Sequence, residues 1–301
     1  MSSPNATPIA LPLPVKAPGE SVVLHPLLTA VMHGPAGWFH RPSSGNATLS
    51  AFGIGVRKDQ YIGIPVVCFL VEHPSAGTLL IDTGFHHSAL SSPRQNLGLF
   101  GALMARGMQM RPEQTAAAQC RSRGIDPDTV GLIVMTHLHF DHASALADFQ
   151  NATVLVSEPE WKSATAAGAA MGGYVRAQLA PEASYRTIDF LDGSAHAHGP
   201  FDHALDLFGD GSVVLLYTPG HSAGHLSVLL RLTEGEALIA GDAIYTMATL
   251  HEGKRPWRTQ DSRAFEHSVA AIKTYSEEHP DTLIIPGHDL EHWEHLETSY
   301  S

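Results

Sequence analysis

The hexapeptide His137-Leu138-His139-Phe140-Asp141-His142 sets three imidazoles and a carboxylate into six positions, directly after the aliphatic run "LIVM". Imidazole and carboxylate together are the donor set that suits zinc, manganese or iron. In an extended segment side chains alternate, so His137 and His139 point to the same side and can grip one ion. A helix beginning at about Phe140 or Asp141 would turn the chain and swing Asp141 and His142 towards a neighbouring position. The competing reading is a helix start capped by Asp141 with incidental histidines, in a chain that holds 20 of them.

Three more chemically capable residues occupy the same kind of place. His221 follows "VVLLYTPG", Asp242 follows "ALIAG" and His288 follows "TLIIPG". Each stands just past a predicted buried strand, where a rigid sheet holds a side chain but a loop displays it. A lone histidine is usually a surface or satisfied core residue, whereas four strand ends presenting ligand-type residues argue for a metal site.

The elements that must position these residues alternate along the chain. "YIGIPVVCFLVEH" and "GTLLIDTG" read as two strands joined by a tight connection. Residues 113–123 read as a helix stopped by Gly124. "NATVLVSEPEW" reads as a strand and then a helix, with Ser157 as N-cap and Pro159 in the first turn. Later runs give three strands, a helix from about Asp261 to His279, and a last strand in "DTLIIPGHD". Two successive blocks of this grammar predict an α/β fold, a layered sandwich of two sheets. Residues 1–21, interrupted by prolines, read as a flexible leader, and 22–301 as a single domain. Residues 94–115, with three methionines, read either as an irregular core segment or as a mobile apolar wall over a substrate pocket.

Composition narrows the function. With 30 acidic against 18 basic side chains the formal charge is −12, which repels phosphate backbones and anionic membrane surfaces. Nucleic acid and membrane are therefore not expected as partners, and a small-molecule substrate is. Cys68 and Cys120 are isolated from one another in sequence and form no disulfide framework, which suits a reducing, cytoplasmic setting. A homodimer remains open.

"HLHFDH" resembles the His-x-His-x-Asp-His pattern of the metallo-β-lactamase superfamily, and "TPGHSAGH", "AGDA" and "PGH" continue the order over about residues 60–290. The resemblance implies a four-layer αβ/βα sandwich of two mixed sheets with outer helices and a dinuclear site at its edge. It further implies that His137, His139 and His221 hold the first of two divalent ions, expected to be Zn2+, that Asp141, His142 and His288 hold the second, and that Asp242 bridges them. Asp82 in "IDTG" matches a further family aspartate and reads either as a support for the site or as a strand-end turn carboxylate. A water bridging two ions ~3.5 to 4 Å apart would lose its proton near neutral pH and become the nucleophile.

Within the superfamily the sequence is most similar to the N-acyl-homoserine lactonases, through "DTGF", "THLHFDH", "PGHD" and Tyr245 three positions after Asp242. That implies lactone hydrolysis, with the Tyr245 hydroxyl assisting the carbonyl and Asp141 passing a proton to the leaving alkoxide. Tyr245 also reads as an ordinary pocket-wall tyrosine, and Trp38, Phe39 and Phe52 as either an acyl pocket or core. Ser144 and Ala145 depart from the glycines common at those positions. A thioesterase of the glyoxalase II type shares every ligand, and Lys254, Arg255 and Arg258 leave it open; a non-catalytic metal-binding protein is the reading from another class.

Overall fold

The computed structural model describes residues 4–19, 21–180 and 182–301. One sheet contains β1 (Ala6–Pro8), β2 (Val23–Pro35), β3 (Tyr61–His73), β4 (Gly77–Ile81), β5 (Leu132–Val134), β6 (Thr153–Ser157) and β7 (Ser184–Ile188), in the order β1-β7-β6-β5-β4-β3-β2. The second contains β8 (His196–His198), β9 (Phe201–Asp206), β10 (Val213–Tyr217), β11 (Leu226–Arg231), β12 (Glu236–Gly241) and β13 (Leu283–Pro286), in the order β13-β12-β11-β10-β9-β8. Both sheets are mixed: β2, β3 and β4 pair antiparallel while β4, β5, β6 and β7 run parallel, and in the second sheet only β12 and β13 are parallel.

Side-chain alternation makes the layers. On β3, Phe69 and Val71 face the core between the sheets while Cys68 and Leu70 face the opposite core; on β10, Val213 and Leu215 face inward while Val214 and Leu216 face outward. The outer core of the first sheet is roofed by the helix Ala116–Ser122, and that of the second by the helix Ser262–Glu278 through Phe265, Val269 and Ile272. Two sheets inside two helical layers give the predicted αβ/βα sandwich. Each fully buried Leu, Ile, Val or Phe contributes about 1.5–3 kcal/mol, so strands apolar on both faces belong in this architecture.

Local signals explain several boundaries. Ser157 caps the helix Glu158–Thr165 by accepting the Glu160 N–H, and Asp261 caps Ser262–Glu278. Residues 94–115 contain two short helices, Pro93–Asn96 and Gly98–Met104, with Met104, Met108 and Met110 half-buried against the outer core of the second sheet.

Two expectations need correction. No helix begins at Phe140 or Asp141: the N–H groups of His142 and Ala143 both donate to the His139 carbonyl, forming a turn. Nor is the described part of the leader a free tail. β1 pairs in parallel with β7, the Leu13 N–H donates to the Leu207 carbonyl, and Ile9, Leu11, Leu13 and Val15 pack on the inter-sheet core.

Candidate metal centre

The strand ends deliver the chemistry to one edge of the sandwich. β5 runs out into His137–His142, β10 into the loop carrying His221, β12 into Asp242 and β13 into His288. Three groups of donor atoms form: His137, His139 and His221; His137, His142 and Asp242; and Asp141, His142 and His288. His221 Nε2 lies 3.1 Å from His137 Nε2 and 2.8 Å from His139 Nδ1. Two nitrogens each about 2.0–2.1 Å from one tetrahedral ion stand roughly 3.3 Å apart, so this trio is closed to the size of a single ion.

Asp242 faces both trios. Its Oδ2 is 3.3 Å from His221 Nε2, and its Oδ1 is 3.4 Å from His142 Nε2 and 3.2 Å from His288 Nε2. Asp141 Oδ2 sits 3.5 Å from His288 Nε2. His142 Nε2 and Asp242 Oδ1 are buried with no hydrogen-bond partner, and orphaned donor atoms aimed at each other's neighbours are what an ion would satisfy. The residues therefore fit two divalent ions.

In all of these imidazoles except His139, the nitrogen that does not face the centre is anchored. His142 Nδ1–H donates to Asp82 Oδ2 at 2.7 Å, His288 Nδ1–H to the Pro65 carbonyl at 2.9 Å and His137 Nδ1–H to Thr136 Oγ1 at 3.0 Å. Such partners fix ring orientation and leave the other nitrogen for the ion. Asp82 adopts φ 57° at the end of β4, which turns its carboxylate back to take the Thr136 N–H and hydroxyl as well. The site-support reading of Asp82 is thus the one its contacts favour.

Tyr245 is buried beside the trio, its hydroxyl 2.5 Å from His221 Nδ1. Burial, reinforced by the charges of Asp242 and Asp141, pushes its pKa well above the usual phenol value, so it stays a donor. Burial pushes His137, His139 and His221 down, keeping them neutral. Burial alone would do the same to His142 and His288. The carboxylates Asp82, Asp141 and Asp242 overturn it at His142, and Asp242 and Asp141 at His288, so both are raised.

Three supports were not singled out from the sequence. His225, fully buried, accepts the Asp242 N–H on Nε2 at 3.0 Å and donates from Nδ1 to Thr218; burial lowers its pKa to about 3. Glu160 and Ser222 join the loops of His137–His139 and His221. The second histidine of "GHSAGH" was a visible signal for His225, whereas nothing local marks Glu160. Gly220 and Gly224 in the same loop are obligatory, since a Cβ would come within 2.1 Å of Phe265 N and of Ser157 Oγ respectively. Ser144, the departure from glycine, bonds to His86 N and Asn96 and so tethers the loop behind the centre.

A cleft of about 630 Å³ borders the centre at His288, with Ile62, Met247 and Leu290 among its apolar lining. Phe39 packs on both Tyr245 and His288, with ring centroids 5.0 and 5.3 Å away. Trp38 contacts Phe52, Phe100 and Trp257 in an aromatic group nearby.

Known proteins resemble the chain in sequence and in fold. The chain is 34% identical to the N-acyl homoserine lactonase AttM of Agrobacterium fabrum over 233 residues, 76% of this chain and 84% of that protein. It is 30% identical to the N-acyl homoserine lactonase AiiA of Bacillus thuringiensis subsp. kurstaki over 251 residues, 80% of this chain and 88% of that one. Among solved structures, an N-acyl homoserine lactone hydrolase with the product N-hexanoyl-L-homoserine bound at its catalytic metal centre superposes with a TM-score of 0.69 at 23% identity, covering 93% of this chain and 98% of that one. Residues 61–288, the span from β3 through His288, match the metallo-beta-lactamase superfamily, and this chain belongs to it.

Proposed function

We propose that the protein is a zinc-dependent lactonase that opens N-acyl homoserine lactones, with residues 22–301 acting as one hydrolase domain. The observation that carries this reading is a single carboxylate, Asp242, facing two donor trios with the Tyr245 hydroxyl beside it. The names of the relatives at 34% and 30% identity support the same substrate class. A pair of divalent ions, when bound, supplies activated water and a Lewis acid for the scissile carbonyl.

The chain's own residues do the rest. His137, His139 and His221, kept neutral by burial, present lone pairs without competing protons. Tyr245 Oη accepts from His221 Nδ1–H and keeps its own proton for the substrate carbonyl oxygen as charge develops there. Asp141, beside His288 in the second trio, is placed to take the proton that the attacking water gives up and to pass it to the departing alkoxide. Phe39, Met108 and the Trp38 group offer apolar surface for an acyl chain. Free, buried Cys68 and Cys120 support a cytoplasmic setting, and no helix of the described residues is long and apolar enough to cross a membrane.

The test is a pH-indicator screen of purified protein against acyl homoserine lactones of graded chain length, thioesters, phosphodiesters and β-lactams. One acid equivalent per lactone opened, with metal analysis near two ions per chain, is the expected result. Faster thioester cleavage would reassign the enzyme to the thioesterase class.

A further inference from the structure

Glu160, in the first turn of the helix Glu158–Thr165, is fully buried. Its Oε1 accepts the Leu138 N–H at 2.9 Å, and its Oε2 accepts the Ser222 hydroxyl at 2.6 Å and the Gly224 N–H at 3.1 Å. Leu138 lies between His137 and His139, and Ser222 follows His221, so one side chain ties together the two loops that supply the first trio. Three donors converge on two oxygens, the pattern of an ionised carboxylate.

That charge has no cationic partner among the described residues. Lys162, on the same helix, pairs at 2.8 Å with Glu158 instead. A buried carboxylate without a counter-ion is costly, and hydrogen bonds offset that cost only in part.

We propose that Glu160 is a positioning residue and built-in counter-charge for a divalent ion at the His137, His139 and His221 position. It fixes the separation of the two ligand loops through Leu138 and Ser222, and its negative charge balances an ion held on three neutral imidazoles. The proposal rests on the reading of that trio as an ion position.

The experiment titrates metal-free, full-length protein with Zn2+ against a chelating indicator on two backgrounds. His288→Ala disables the second position and leaves the first; His139→Ala does the reverse. Glu160→Gln keeps the shape and removes the charge. Zn2+ affinity should fall about 10- to 100-fold on the His288→Ala background, the range for partners behind metal ligands, and by less than about threefold on His139→Ala. Unchanged affinity on the first background, or equal losses on both, overturns the proposal. Should Glu160→Gln fail to fold by circular dichroism, Ser222→Ala keeps the charge and removes one tie. A loss of about threefold to tenfold on the His288→Ala background alone then supports the clamp, and no loss overturns it. A His288→Ala parent that binds no Zn2+ brings down the ion reading and the proposal with it, whereas an intact parent with an indifferent Glu160→Gln brings down the proposal alone.

Discussion

The two halves of the centre use similar side chains under opposite electrostatics. In the first, His137 is buried, His139 and His221 are half-buried beside it, all three are kept neutral, and two of them lean on hydroxyls, Thr136 and Tyr245. In the second, His142 and His288 sit among Asp82, Asp141 and Asp242, which favour their protonated forms. The first half is ready to donate lone pairs, while the second stores protons until an ion displaces them. The same imidazole chemistry is thus set to two states by the placement of three carboxylates.

The shared element gives the largest way to break that contrast. Asp242→Ala should empty both halves and lower lactone turnover by on the order of 10³-fold, more than loss of a partner behind the ligands brings; metal content and kcat/KM together check it. Tyr245→Phe should lower kcat about 10²-fold, the cost of one donor to a developing oxyanion, and loosen the ion in the first half but not the second. Asp82→Asn should do the reverse, weakening Zn2+ binding in the second half about 10- to 100-fold; an equal loss in both halves would erase the distinction.

The pH dependence follows from the raised His142 and His288. Without ions, their protonated forms stabilise the fold below about pH 6.5, the ordinary histidine value, and that contribution is lost as pH rises through their folded values. Ions compete with those same protons, so occupancy measured between pH 7.5 and 5.5 should fall in the second half before the first. The smallest effect lies outside both halves. Burial would raise Asp210, but donors from Ser212, Gly19 and His73 prevail and lower it to about 2. Its carboxylate therefore stabilises the fold above about pH 3.9 and ceases to as pH falls through about 2. Asp210→Asn should cost about 1–2 kcal/mol at pH 7, a gap that closes in acid and is measurable by urea unfolding.

Much of this arrangement was legible in the chain. β3 coincides with the apolar run Tyr61–His73, and Ser157 and Asp261 cap the helices where their neighbours suggested. The seven candidate residues converge because each follows a strand, and strands are readable. β2 was not read, since His25, Pro26, Thr29 and His33 interrupt its pattern; pairing with β3 along its length makes it a strand. The turn after His139 carries the signal of a helix start because a local Asp can cap either. The repeated histidine of "GHSAGH" marks His225, but Glu160 carries no local signal because its partners Leu138 and Ser222 lie far along the chain, a fact of tertiary packing that no local spacing encodes.

β1 bears on how the protein can be handled. Its three residues cover the open edge of β7, hydrogen-bonding groups that would otherwise offer another chain a template for pairing. Trimming the chain before Ile9 would expose that edge without touching a single residue of the centre. Such a shortened protein is expected to keep its turnover and lose its shelf life, precipitating on concentration where the longer chain stays clear.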